Sequence, residues 1–194
     1  MEIVGWPADG PTLALHHERF SYAGKFVMSN TGKAVARLES GSIDLPPDVP
    51  TDASATGTPA YETDVVAAVA FNEDRTDADT CWIRYVTVER DHRGQGIGPR
   101  LTAHVRDAAR DRGYDRLRIA VNNPYAYDAL WKAGFGFTGR TTGLAELVLE
   151  HPADDPASYR RGLERFQTGD RSLSSEEVAF VRDRLDRGPP DREG

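Results

Sequence analysis

Residues Arg93-Gly94-Gln95-Gly96-Ile97-Gly98 place three glycines and an arginine directly before a helical pattern, a combination suited to holding phosphate. Glycine lets the backbone approach a ligand with no Cβ in the way, and a helix start presents unpaired N–H groups and the positive end of its dipole. Together they make a pyrophosphate site, to which Arg93 adds charge. The spacing excludes two other nucleotide sites. A dinucleotide fold uses G-x-G-x-x-G, whereas Gly94, Gly96 and Gly98 recur at every second position. A P-loop ends in Gly-Lys-Ser/Thr, and here Gly98 is followed by Pro99-Arg100.

The flanking segments are those that would aim such a loop. Val65 to Phe71 and Cys81 to Val88 are apolar runs separated by the polar stretch Asn72 to Thr80, which predicts two adjacent strands. Leu101, Val105, Ala108 and Ala109 recur at helical spacing up to Arg112, with Gly113 where a helix ends. A strand at Arg116 to Val121, a helix from Pro124 to Ala133 and a strand pair at Phe135 to Thr138 and Ala145 to Glu150 follow. Upstream, Thr12 to His16 reads as a strand, and Lys25 to Met28 with Lys33 to Arg37 reads as a β-hairpin. The segment from Glu39 to Thr63 carries Pro46, Pro47, Pro50 and Pro59 and predicts a long exposed loop, placed to serve as a lid over a substrate. Beyond His151 the chain is strongly charged and predicts two solvated helices, Pro156 to Phe166 and Ser174 to Asp186, the second with Ser174 and Glu177 at capping-box spacing.

At 194 residues and 39% hydrophobic content, the chain suits one domain with one site. No apolar run approaches the ~20 residues of a membrane span, and the N-terminus lacks the build of a signal peptide, so the expectation is a cytoplasmic protein. The net charge of −7 argues against a nucleic-acid partner and favours a cationic small-molecule partner. Cys81 stands alone and reads as a core residue, and the five histidines, His16, His17, His92, His104 and His151, are too scattered to propose a metal. Of these, His92 lies nearest the glycine loop. Glu89 and Asp91 border the loop and read as a solvated turn.

Two motifs in order carry a resemblance. Arg93, Gly96 and Gly98 fit Arg/Gln-x-x-Gly-x-Gly/Ala, five residues after the strand valine Val88, and Asn123-Pro124-Tyr125-Ala126 precedes Gly134-Phe135 by about ten residues. Over residues 64–150 the chain resembles the GNAT acetyltransferase superfamily. The resemblance implies an α/β (α+β) fold with a mixed, mostly antiparallel central sheet flanked by helices. It divides the chain into a GNAT domain over 1–150 and a charged helical C-terminal extension over 151–194.

The resemblance further implies that the strand before the loop splays from its neighbour and pairs with the pantetheine arm of acetyl-CoA through the main chain of Val86 and Val88. Main-chain N–H groups between Gly94 and Pro99, Gln95 included, would hold the pyrophosphate, with one donor missing because proline has no N–H. Asn123 matches an asparagine that contacts the cofactor in similar proteins and suits equally the N-cap of the next helix. Relatives often place a tyrosine acid seven residues after it, where this chain has Leu130. Tyr127, on the same short helix, is the substitute, with Tyr125 second; both lie near the position the resemblance gives the thioester. The implied activity is acetyl transfer from acetyl-CoA to a primary amine on a small molecule or a peptide, without metal, with a homodimer as a family-level expectation. A silent acyl-CoA-binding sensor is the competing reading, kept open by Leu130. A protein whose glycine loop is only a turn is a third.

Overall fold

The computed structural model describes residues 1–45, 60–143, 146–153, 155–169 and 172–192. Among them seven strands form one sheet: β1 (Glu2–Gly5), β2 (Gly32–Arg37), β3 (Val65–Glu73), β4 (Thr80–Val88), β5 (Arg116–Val121), β6 (Gly136–Thr142) and β7 (Glu146–His151). Their order is β1-β2-β3-β4-β5-β7-β6, and every adjacent pair is antiparallel except β4–β5. A parallel pair needs a crossover long enough to return the chain to the same end of the sheet. Helix α1 (Ile97–Asp111) supplies it.

β3 is buried at every position from Val65 to Phe71, so both of its faces are covered. α1 lays Leu101, Thr102, Val105 and Ala109 on the sheet, and the chain turns out of it at Gly113, φ +93°. The segment that precedes β2 also reaches the core: Leu13, Leu15, Phe20 and Phe26 are 4% exposed or less. It is not a strand, however. Thr12 to His16 is irregular, and Lys25 ends a 3-10 turn, Ala23–Lys25, so the expected hairpin is absent. The partner of β2 is instead β1, a four-residue strand that carries no apolar run.

Lys33 fixes this irregular segment. Its side chain is fully buried, and its ammonium donates to the carbonyls of Pro11, Met28 and Thr31 at 3.1, 2.8 and 2.9 Å and to Thr31 Oγ1 at 2.6 Å. A regular strand would satisfy its backbone carbonyls along a ladder; here one side chain satisfies three.

The expected loop at Glu39 to Thr63 is non-helical and non-strand over the described positions at its ends, where the Ile43 N–H donates to Thr63 O at 2.6 Å; residues 46–59 lie outside the described residues. The same is true of Ala145, and β7 begins at Glu146.

Helix α2 (Pro124–Lys132) is followed by β6 and β7, then by α3 (Ser158–Thr168) and α4 (Ser175–Arg187). The last two are not simply solvated, as their charge suggested. Tyr159, Leu163, Phe166 and Val181 are buried, and Asp128 of α2 accepts from Tyr159 Oη at 2.7 Å while pairing with Arg184 at 3.0 Å and Lys132 at 2.8 Å. Ser174 and Glu177 do form the capping box that opens α4. No helix among the described residues is long and apolar enough to cross a membrane.

Candidate active site

Pairing between β4 and β5 runs from Thr80 with Arg116 to Ile83 with Ile119 and goes no further, although both strands continue. Beyond Ile83 the two strands splay, leaving one edge of β4 unpaired in the middle of the sheet. The divergence coincides with a bulge: Ala70 of β3 faces Tyr85 and Phe71 faces Ile83, so Arg84 is the extra residue. A bulge bends a strand and increases its twist, which turns the remainder of β4 away from β5.

β4 then leads into the glycine loop through a built corner. Glu89 is fully buried, not part of a solvated turn. Its carboxylate accepts from the Asp91 and His92 N–H groups at 2.9 and 3.2 Å, holds His92 Nδ1 at 2.7 Å, and pairs with Arg19 at 2.7 Å. Arg93 reaches back to Val88 O at 3.2 Å and to Ser21 Oγ at 3.2 Å, while Gln95 Nε2 donates to Asp91 O at 3.4 Å. Arg93 thus holds the end of β4.

Gly94 and Gly96 have φ of +76° and +73°, conformations that favour glycine, and Gly96 is the N-cap of α1 with no side chain capping it. The N–H groups from Gly94 to Gly98 meet no acceptor among the described residues. A Cβ on Gly98 would lie 3.2 Å from Val88 Cγ2, so this glycine lets the helix start press against the end of β4. Pro99 is buried in the first turn and contributes no N–H. The result is a cradle of free donors at a helix N-terminus, in line with a free strand edge.

At the other end of that edge lies a cavity of about 470 Å³. Arg84 and Tyr85, where the strands part, form one wall with Trp82, Asn72 and Asp74, and Lys25 with the Met28 to Thr31 turn forms the opposite wall.

The acetyltransferase (GNAT) family model matches residues 29–137, more than half of the chain, and so spans the splay, the cradle and α2. The chain belongs to the GNAT acetyltransferase family. Among solved structures, it is similar to nourseothricin acetyltransferase, with 22% identity over 45% of this chain and 58% of that one and a TM-score of 0.39. It is also similar to a GCN5-related N-acetyltransferase from Kribbella flavida (23%, 47% and 62%, 0.40) and to PaiA N-acetyltransferase from Thermoplasma acidophilum in complex with coenzyme A (15%, 45% and 53%, 0.39). The matched part thus spans little more than half of those chains. No curated protein sequence matches it.

Within this GNAT chain the two tyrosines named from sequence part company. Tyr127 is 1% exposed, and its hydroxyl donates to the carbonyls of Ser158 and Tyr159 at 2.9 and 3.0 Å, so it serves the α2–α3 contact and is removed as the proton donor. Burial also pushes its hydroxyl far above the ordinary tyrosine range, which makes proton release harder. Tyr125 is 45% exposed and rests on Phe180 of α4, with ring centroids 4.6 Å apart. Asn123 is the N-cap of α2: its Oδ1 accepts from the Ala126 N–H at 2.8 Å. Leu130 is buried.

Sequence reasoning passed over Tyr85. It is half-buried at the point of divergence, its ring lies 5.7 Å from that of Tyr22, and its hydroxyl has no partner among the described residues. The signal was its position on the strand just before Val86, but a bulge cannot be read from residue types. Cys81 is buried, with its thiol pushed up to about 12 by burial, so it is no nucleophile. No cluster of three potential metal ligands occurs among the described residues.

Proposed function

We propose that the chain is an N-acetyltransferase moving acetyl from acetyl-CoA to a primary amine in one ternary complex. The observation that carries this reading is the alignment of the free edge of β4 with the unpaired N–H groups of Gly94 to Gly98. That pair of features suits a ligand with a pyrophosphate at one end and an amide-bearing arm, and coenzyme A has both. The main chain of Val86 would pair with the arm, and so would Val88, although Arg93 already occupies the Val88 carbonyl. Asn123 would meet the cofactor with its amide nitrogen, since its oxygen is committed to Ala126.

The amine nitrogen attacks the thioester carbonyl, the C–N bond forms, and the C–S bond breaks with the electron pair going to sulfur. The attacking nitrogen loses one proton and the thiolate takes one. The residues would contribute chiefly position, which alone can account for a large part of a rate enhancement. Tyr85, with an unpartnered hydroxyl among the described residues where the strands part, would protonate sulfur, with Tyr125 second. Leu130 favours the alternative, an acyl-CoA sensor without turnover.

Calorimetric titration with acetyl-CoA decides the cofactor. Micromolar binding is expected in the wild type, and its loss in Gly96→Glu, which puts bulk and negative charge into the cradle. Absence of binding to the wild type overturns the reading; binding without thiol release across an amine panel leaves the sensor.

A further inference from the structure

The cavity where β4 leaves β5 has a charge pattern opposite to that of the whole chain. Its ionisable walls are Lys25, Arg75 and Arg84 against one acid, Asp74. Asp74 is already engaged: Oδ1 accepts from Thr76 N at 2.9 Å and Thr76 Oγ1 at 2.8 Å, and Oδ2 lies 3.6 Å from Arg118. Those contacts hold its carboxyl below the usual range, the Thr76 hydrogen bonds foremost. Arg118 in turn meets Asp77 at 3.6 Å and Glu150 at 2.6 Å, so Asp74 is engaged with Thr76 and Arg118 and not ion-paired with the three wall cations.

None of the three makes an ion pair among the described residues, in a chain with 31 acidic against 24 basic side chains. Arg84 is held in place but not neutralised: its Nε donates to Asn72 Oδ1 at 2.7 Å and its guanidinium lies 4.9 Å from the Trp82 ring, which leaves its terminal NH₂ groups free. Lys25 stands 6.0 Å from the Tyr85 ring. The wall opposite is fixed from behind, because Lys33 holds the carbonyls of Met28 and Thr31.

We infer that the acceptor is a small amine that also carries a carboxylate or phosphate, with the anionic group held by Arg84, Arg75 and Lys25 and its apolar body against Trp82 and Tyr85. A planar guanidinium suits either oxyanion. The volume fits one small molecule. The cations are not a second grip on the cofactor's pyrophosphate: four residues of extended chain separate Arg84 from Val88, roughly 13 Å, and the cradle lies beyond that. The acid excess of the chain had suggested a cationic acceptor; the local arrangement outweighs the net charge.

The inference rests on the acetyltransferase reading, and its test separates the two. With saturating acetyl-CoA, kcat/KM is compared for phenylalanine against phenethylamine and for phosphoethanolamine against ethanolamine, in wild type and Arg84→Gln. At least one anion-bearing member is expected to be preferred by about tenfold or more, with the preference falling toward one in the variant. The pair that responds tells carboxylate from phosphate. A parallel arm needs no turnover: 3-phenylpropionate and phenyl phosphate are titrated into the protein saturated with coenzyme A, where at least one should bind the wild type and lose that binding in Arg84→Gln. Equal use of paired amines, a preference that survives Arg84→Gln, or binding of neither probe overturns the inference. Failure of acetyl-CoA itself to bind overturns the acetyltransferase reading instead.

Discussion

At the scale of single residues, the proton-donor role expected of Tyr127 passes in our proposal to Tyr85, forty-two positions earlier. Tyr127 sits on the helix where a proton donor was sought, yet its hydroxyl is committed to two main-chain carbonyls of α3. Tyr85 lies on a strand singled out from sequence only for the main chain of Val86 and Val88, and it opens onto the cavity. Tyr127→Phe should therefore cost about 1–2 kcal/mol of stability by leaving buried carbonyls short of a donor, with kcat unchanged. Tyr85→Phe should leave the urea midpoint nearly unmoved and lower kcat about a hundredfold or more, within the range for one proton transfer. Urea unfolding and steady-state kinetics on both variants check the pair; a kcat loss confined to Tyr127→Phe would reverse the assignment. Sequence could not separate them, because a helix position fixes a direction only relative to neighbours that spacing does not name.

Among elements, legibility followed local signals. β3, β4, α1, β5 and α2 were readable within one or two residues, since apolar runs, a proline at a helix start and a glycine at a helix end act within a few positions. The segment before β2 misled because Lys25 to Met28 looks like a strand, while the contact that shapes it is the Lys33 ammonium, whose role only the fold discloses. The glycine cradle was legible residue by residue, and the splay was implied by the resemblance; the bulge at Arg84 that accompanies it, and the cavity beside it, were not, because no residue type signals a bulge. The tail misled in another way: its many charges concealed Tyr159, Leu163 and Phe166 at helical spacing. Phe166 packs edge-on to Tyr127, with ring centroids 5.7 Å apart. Phe166→Ala should cost about 3–5 kcal/mol in chemical denaturation, as a core aromatic does, whereas a loosely attached extension would lose under about 1 kcal/mol.

For the molecule as a whole, pH is the simplest probe of packing. His151 is buried where β7 ends, and burial, with Arg106 and Arg110 nearby, lowers its imidazole to about 4. The unfolded chain takes up that proton near pH 6.5, so between about 6.5 and about 4 the unfolded state binds more protons and stability falls as pH falls. The loss attributable to this one group is on the order of 3 kcal/mol, complete below the folded value and absent above pH 7. Urea midpoints from pH 7 to pH 4 should fall less steeply for His151→Gln than for wild type; parallel curves would show that some other group governs the acid limb.

The splay between β4 and β5 has a consequence for what counts as the finished protein. The sheet consists of two smaller sheets, β1 to β4 and β5 to β6, joined by one short run of paired backbone and bridged by α1. Such a seam lacks part of its own hydrogen bonding, and a guest with amides of its own can supply the rest. A cofactor lying along that edge would act as a temporary strand, sewing the halves together while it is bound and letting them part when it leaves. Substrate occupancy and architectural integrity would then be one variable, and the enzyme would be most completely folded at the moment it is ready to react.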